Sequence, residues 1–218
     1  MARDRLAERL IANLEARVDA AFADRDRVAL AYSGGVASTL IAAIARKRGD
    51  LTCIVVGVDG SPDLEAARVA ESYLDYRLEL VTLSPAEALR LARRVAAAAP
   101  RLSLRDVLAL APAFAASDRM AGNRALVGFG ASRLSAGQWE LLASRRLDAP
   151  LRSVLAGRGG ELRALAIRCA TTLGLPRDFA RPRRRAPASG SGIESVLRGI
   201  ATSKGTTFPR LLRPHHYH

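Results

Sequence analysis

The segment Arg27–Leu40, RVALAYSGGVASTL, constrains the fold of this chain more than any other stretch. A short apolar run with β character, residues 28–32, meets Ser33-Gly34-Gly35, and a segment with helical periodicity follows at once. This order predicts a strand, a tight glycine turn and the start of a helix.

The predicted turn is suited to binding an anion. Two adjacent glycines let the backbone approach a ligand closely, and the helix that begins near Val36 directs its free N–H groups to the same point. Hydroxyl donors are offered by Ser33, Ser38 and Thr39, so phosphate or pyrophosphate would fit. A purely structural role suits the turn equally well. It matches neither of the two commonest phosphate loops, G-x-x-x-x-G-K-[ST] and G-x-G-x-x-G.

Four separated blocks resemble one known family. SGGVAST, residues 33–39, is similar to the S-G-G-x-D-S loop of the PP-loop ATP pyrophosphatases. Residues 54–74 contain GSPDL, residues 125–137 stand where G-[DE]-G-x-D-E-x-x-x-G is expected, and residues 161–193 end in Gly-Ser-Gly. In this order the blocks resemble the synthetase domain of asparagine synthetases, a branch of the adenine nucleotide alpha hydrolase-like proteins.

The resemblance and the alternation of strands and helices together predict an α/β fold. We expect a Rossmann-like parallel sheet with helices on both faces and a helical C-terminal part. Residues 1–26 form a leading amphipathic helix in this prediction, residues 27–137 the PP-loop core, and residues 138–218 the helical C-terminal part of the same globular unit. Both glycine turns should line one crevice at the carboxyl ends of the strands.

The periodicity predicts the individual elements. The leading helix carries an apolar stripe on one side, made of Leu6, Leu10, Ile11, Leu14, Val18 and Phe22. Further helices are expected at 36–48, 63–74, 85–99, 104–120, 161–173 and 193–202, and strands at 52–58, 77–83 and 125–129. Ser61 or Asp63 is expected to cap a helix. Cys53 and Cys169 are expected to be core residues.

The resemblance also implies ligand contacts. In the family, the backbone at the position of Val56 contacts adenine, and the second turn contributes glycines that match Gly128 and Gly130. A lysine that contacts pyrophosphate in the family is replaced here by Arg184 or Arg185, although a solvated charged face is the other interpretation of this basic run. The implied ligand is ATP or AMP, held by these residues together with Ser33, Gly34, Gly35, Ser38 and Thr39.

The acidic residues of the family's site are missing from this chain. Its loop aspartate is replaced by Ala37, and its second turn has Phe129, Ser132 and Arg133 where the family has acids. Adenylation by ATP needs Mg²⁺ and charge stabilisation at phosphorus. We therefore assign no catalytic residue and no metal ligand, and the pattern argues against bound Mg²⁺.

The sequence is compatible with three functions. The first is a degenerate, asparagine-synthetase-like protein that binds an adenine nucleotide, as a sensor or as a partner of an active relative. The second is an active ATP-dependent, AMP-forming amide ligase. The opening residues, Met1-Ala2-Arg3, lack the cysteine nucleophile of the family's glutaminase domain. Such an enzyme would therefore take free ammonia or use a separate glutaminase subunit. The third is a basic module that binds RNA or DNA.

The composition bears on these alternatives. The net charge is +13, and all but two of the 34 basic residues are arginines, the exceptions being Lys47 and Lys204. Such a charge attracts polyanions without specificity, but few aromatic residues lie near the arginines. Because no apolar run reaches the length of a membrane span and the charged N-terminus does not resemble a signal peptide, we expect a cytoplasmic protein without a membrane partner.

Overall fold

The strands form one parallel sheet with the order β3-β2-β1-β4-β5. They are β1 (Arg27–Ala31), β2 (Asp50–Val58), β3 (Arg77–Leu83), β4 (Ala125–Val127) and β5 (Leu147–Asp148). The structure is a computed structural model, and it describes residues 2–120, 125–128, 135–151, 162–180 and 187–212.

Helices cover both faces of this sheet. They are α1 (Ala2–Phe22), α2 (Val36–Ala45), α3 (Pro62–Leu74), α4 (Pro85–Ala98), α5 (Leu104–Arg119), α6 (Ala136–Ser144), α7 (Leu162–Thr172), α8 (Arg177–Ala180), α9 (Pro187–Gly190), α10 (Ile193–Ser203) and α11 (Phe208–Leu212). The predicted Rossmann-like α/β fold with a helical C-terminal part is confirmed. The division at residues 26 and 137 stays a prediction.

Strand β2 shows how the sheet separates two cores. Successive side chains of a strand point to opposite faces. Cys53 and Val55 join the cluster that contains buried residues of α1, α2, α3 and α7. Ile54 and Val56 join the cluster formed with α4, α5, α6, α10 and α11. A strand covered on both faces is a nearly continuous apolar run, which is the pattern that made β2 predictable.

The leading helix α1 packs as its apolar stripe predicts. Leu10, Ile11, Leu14 and Val18 are buried, and Leu6 and Phe22 are partly buried against the same cluster. This cluster also contains Cys53 and Cys169, so the prediction that both cysteines are core residues is confirmed. Burial raises the pKa of both thiols above the ordinary value.

Some boundaries differ from the sequence prediction. Helix α2 ends at Ala45 rather than at residue 48, because Lys47 and Arg48 donate to carbonyls only three residues back and the chain tightens into a turn. Helix α6 and strand β5 were not predicted. Strand β5 pairs with β4 over two residues only, which is too short to leave a periodicity in the sequence.

No helix among the described residues combines the length and the apolar composition that a membrane span would need.

Candidate functional site

The sheet order reverses beside β1, which lies between β2 and β4. Loops that leave two neighbouring parallel strands in opposite directions open a crevice at their carboxyl ends. A Cβ atom added to Gly128, just after β4, would lie 2.7 Å from the backbone nitrogen of Ser38. The structure therefore brings Gly128 against the first turn of α2, as close as only a glycine allows. The predicted site residue Gly130 lies outside the described residues.

The first glycine turn leaves the start of α2 open. Gly34 has φ +65°, a backbone conformation that favours glycine. A Cβ atom there would also lie 2.6 Å from the Cβ of Ala66, so a larger residue would not fit. Gly35 is the N-cap residue of α2. Because glycine has no side chain, no side-chain hydrogen bond caps the helix. The first turn of α2 contains no acidic residue. Its backbone N–H groups and the positive end of its dipole face the crevice, where an anion would be stabilised.

The three predicted hydroxyl donors are placed differently from one another. Ser33 is exposed. Ser38 is 2 % exposed, and its hydroxyl donates to the carbonyl of Gly35 at 3.0 Å. The backbone N–H of Ser33 also donates to the Ser38 Oγ at 3.4 Å. The hydroxyls of Ser33 and Ser38 also share a hydrogen bond of 3.4 Å. The Ser38 side chain thus closes the turn from within, whereas Ser33 is the exposed hydroxyl of the three.

Thr39 is fully buried and faces the core. Its hydroxyl shares a hydrogen bond of 3.0 Å with the hydroxyl of Tyr32, the residue that directly precedes the turn. The rings of Tyr32 and Tyr76 lie 5.6 Å apart. Burial raises the pKa of Tyr32 to about 12, and the hydrogen bond with Thr39 offsets part of that rise. Sequence reasoning missed Tyr32, whose signal is an aromatic residue at the end of a buried strand just before the loop.

Val56 stands where β2 extends past the end of β1. The last bond between the two strands runs from the backbone N–H of Tyr32 to the carbonyl of Ile54, at 2.9 Å. Alternate residues of a strand direct their backbone groups to the same side. The N–H and carbonyl of Val56 therefore face the space that β1 has left. Among the described residues no backbone group bonds them on that side.

The next N–H group on the same edge is occupied. Val58 donates to the carbonyl of Ser191 at 2.9 Å. Residues 190–192, the Gly-Ser-Gly segment that we call the C-terminal clasp, are seated on the end of β2. A Cβ atom on Gly190 would overlap the carboxylate of Asp63, and one on Gly192 would overlap the side chain of Val58.

Two hydroxyls, one in the clasp and one beside it, are buried. Ser61 occupies the N-cap position of α3 with extended backbone angles, as one of the two sequence alternatives predicted, but its side chain makes no capping hydrogen bond. The hydroxyls of Ser61 and Ser191 have no hydrogen-bond partner in the part of the chain that the structure describes. Asp63 lies in the first turn of α3 and is also buried.

The remaining predicted positions lie outside the described residues. They are Arg184 and Arg185 and the second-turn positions Phe129, Ser132 and Arg133. Ala37 is described and lies half-buried in the first turn of α2. Within the described ranges, no group of three or more His, Cys, Asp or Glu side chains could hold a metal ion.

Comparisons with known proteins concern the family and the fold of this chain. The family model for asparagine synthase matches residues 9–191. Among solved structures, NMN synthetase from Francisella tularensis is 14 % identical with a TM-score of 0.52, over 97 % of this chain and 85 % of that one. A predicted subunit of tRNA methyltransferase from Methanocaldococcus jannaschii DSM is 18 % identical with a TM-score of 0.48, over 84 % and 91 %.

An NH3-dependent NAD synthetase from Campylobacter jejuni subsp. jejuni NCTC 11168, in complex with the nitrate ion, is 17 % identical with a TM-score of 0.48, over 98 % of this chain and 89 % of that one. No curated protein matches the sequence. At this level of identity the likeness to the NMN synthetase concerns the fold alone.

Proposed function

This chain belongs to the asparagine synthase family, and we propose that it binds an adenine nucleotide, ATP or AMP, at the carboxyl edge of the sheet without the help of Mg²⁺. The observation that carries the proposal is the open start of α2, which has neither a side-chain cap nor an acidic residue in its first turn. The free N–H groups and the helix dipole at such an uncapped amino-terminal end attract an anion.

The phosphate groups would lie over this turn. The N–H groups that follow Gly35 and the exposed hydroxyl of Ser33 are the donors available to them. The close contact of Gly128 with Ser38 brings the residue after β4 to the same place. Arg184 and Arg185 are proposed as further phosphate contacts on the strength of the family resemblance, and so is Gly130.

The adenine would lie against β2. The backbone of Val56 presents one donor and one acceptor side by side, on an edge where β1 no longer pairs. Adenine presents the complementary pair, a ring nitrogen that accepts and an amino group that donates. The turn that follows Tyr32 joins the end of β1 to the start of α2, and we propose that one ligand engages both the Val56 edge and this turn.

The described residues do not fit a Mg²⁺ ion. Ala37 offers no ligand atom, and the hydroxyl of Ser38 is engaged with the carbonyl of Gly35. Mg²⁺ in nucleotide sites is held by carboxylates together with the phosphates. We therefore propose that this chain does not form the activated leaving group that carboxylate adenylation needs, and we derive no synthetase step for it.

Isothermal titration calorimetry of the protein with ATP and with AMP, each in EDTA and in excess Mg²⁺, tests the proposal. We expect both nucleotides to bind in EDTA, with Mg²⁺ changing the Kd for ATP by less than about threefold. Absence of binding under all four conditions would refute the proposal. ATP binding that requires Mg²⁺ would refute its metal-independent part.

A substitution at Ala37 sharpens the test. Ala37→Asp places a negative charge in the first turn of α2, so binding of ATP in EDTA should weaken about tenfold through repulsion of the phosphates, and Mg²⁺ should restore part of it. Ala37→Asn has the same shape without the charge and serves as the matched control. Equal affinities of the two variants in EDTA would mean that the phosphates do not lie at this turn.

Family membership favours one other candidate, an active ligase that forms an amide with ammonia or with a separate glutaminase subunit. Such an enzyme should exchange labelled pyrophosphate into ATP when aspartate and Mg²⁺ are present. We expect no exchange above background. Exchange that depends on aspartate would show that the chain is an active ligase and not a degenerate nucleotide-binding protein.

A further inference from the structure

We propose that the C-terminal clasp, residues 190–192, forms the outer wall of the nucleobase part of the site, and that docking of the clasp and binding of the base stabilise each other. The inference rests on the proposed adenine-nucleotide function and assigns a role to a segment that the function does not itself require.

The first support is the way the clasp continues the sheet edge. β1 bonds the edge of β2 as far as Ile54, and the Ser191 carbonyl bonds it again at Val58. From Ile54 to Val58 the strand advances about 13 Å, with Val56 at the centre. A base that pairs with Val56 must therefore lie between the backbone of Tyr32 and that of Ser191. The clasp is one of the two borders of this gap.

The second support is the closeness of the contact. Gly190 meets the carboxylate of Asp63 and Gly192 meets Val58 so closely that neither position has room for a Cβ atom. Ser191 between them is completely buried. The backbone of the clasp thus packs directly on the side chains of Asp63 and Val58. A shift of the clasp would move the Ser191 carbonyl that accepts from Val58.

The third support is that the closed clasp has an internal cost. The hydroxyls of Ser61 and Ser191 are buried without a partner among the described residues. A buried hydroxyl without a partner favours any state in which water can reach it. Opening the clasp would hydrate both groups, so this cost favours the open state, and a ligand that contacts only the closed state offsets the cost. By linkage, a base that binds the closed state shifts the clasp toward closure, and a loosened clasp weakens the base.

A pair of glycine substitutions tests this inference. Gly190→Ala introduces a methyl group into the space of the Asp63 carboxylate, whereas Gly199→Ala in α10 meets nothing within 4 Å and is the matched control. The Kd values of AMP and of inorganic pyrophosphate are measured by calorimetry. We expect Gly190→Ala to weaken AMP about tenfold and to leave pyrophosphate unchanged, since only the base reaches the clasp. Unchanged AMP affinity in a folded Gly190→Ala protein would overturn the inference.

Hydrogen exchange of the unmodified protein gives a second test that needs no variant. AMP should slow exchange of the Val58 amide, which is bonded to Ser191, and pyrophosphate should not. If AMP binds and Val58 exchanges at its former rate, the clasp has no part in the site and the proposed function still stands. If AMP does not bind the unmodified protein at all, the proposed function fails and the inference fails with it.

Discussion

The sequence predicts Thr39 as a hydroxyl donor of the glycine turn, and the structure turns this hydroxyl into the core toward Tyr32. This bond joins Tyr32, which precedes the glycine turn, to Thr39 in the first turn of α2, which follows it. Thr39 and Tyr32 therefore act as positioning residues for the turn, while Ser33 is the hydroxyl left to a ligand. The burial that holds Tyr32 here also governs its titration.

The raised pKa of Tyr32 predicts a loss of stability at alkaline pH. In the unfolded chain the phenol titrates near pH 10, and in the folded protein at about 12. The contribution of Tyr32 is therefore fully present below about pH 10 and declines as the pH rises toward 12, because the unfolded state loses its proton first. The shift corresponds to about 3 kcal/mol at its upper limit.

Urea unfolding at a series of pH values between about 9 and 11 measures this effect. Tyr32→Phe should lower stability at pH 9, because Thr39 loses its partner, and should make the alkaline decline shallower. Tyr73→Phe removes the hydroxyl of a tyrosine that is 62 % exposed and is the matched control. A decline of equal steepness in Tyr32→Phe and in the unmodified protein would contradict the assignment.

At the scale of elements, helices α5 and α6 are joined at their amino-terminal ends. The Gln138 side chain accepts from the backbone N–H of Ser135 at 2.6 Å and donates to the carboxylate of Asp106 at 2.9 Å. Ser103 caps α5 through the backbone N–H of Asp106 at 3.2 Å. One buried amide thus completes the cap of α6 and binds it to the first turn of α5, on the side of the sheet where the chain leaves β4.

Replacing Gln138 by leucine should reveal this link. The amide is 4 % exposed, so Gln138→Leu keeps the volume while it removes the side-chain acceptor of the Ser135 N–H and leaves Asp106 with one bond fewer. The backbone N–H of residue 138 still donates to the Ser135 Oγ. We expect the free energy of unfolding to fall by about 2 kcal/mol, measured in urea. Glu87→Leu removes the corresponding half of the α4 capping box, where the described residues show no cross-helix bond, and should lower the free energy of unfolding by less. Equal losses in the two variants would show that the bond to Asp106 contributes nothing.

At the scale of the whole molecule, the dominant property is the net charge of +13. Surface ion pairs such as Arg48 with Asp19 and Arg198 with Glu194 neutralise individual arginines but are worth little in water. The excess positive charge repels itself in the folded state more than in the expanded unfolded chain. Screening by salt should therefore stabilise the fold.

We expect the Tm to rise when salt is increased from about 0.01 M to about 0.1 M, as the Debye length falls from about 30 to about 10 Å. Pyrophosphate at the same ionic strength should raise the Tm further by binding at the start of α2. Ala37→Asp should keep the general rise and lose the part specific to pyrophosphate. A Tm that falls or stays constant with chloride would mean that self-repulsion does not limit the stability of this protein.

The sequence by itself determined the features that arise within a few neighbouring residues. The apolar stripe of α1, the continuous apolar run of β2, the glycine turn after β1 and the burial of both cysteines follow from local periodicity and side-chain chemistry. The order of strands and helices, with the resemblance, was enough for the parallel sheet. A crevice lined by both glycine turns stays a prediction. The capping pair Ser135 and Gln138 marks the start of α6 in the structure, but this helix was not predicted.

Only the tertiary structure decided which groups face the crevice and which face the core. Thr39 turns inward because Tyr32 lies beneath it. Because β1 stops short of Val56, no backbone group in the described part of the chain bonds that edge. The clasp closes on β2 through Ser191, more than a hundred residues further along the chain. Such contacts depend on where distant segments are packed, and no periodicity along the sequence records that.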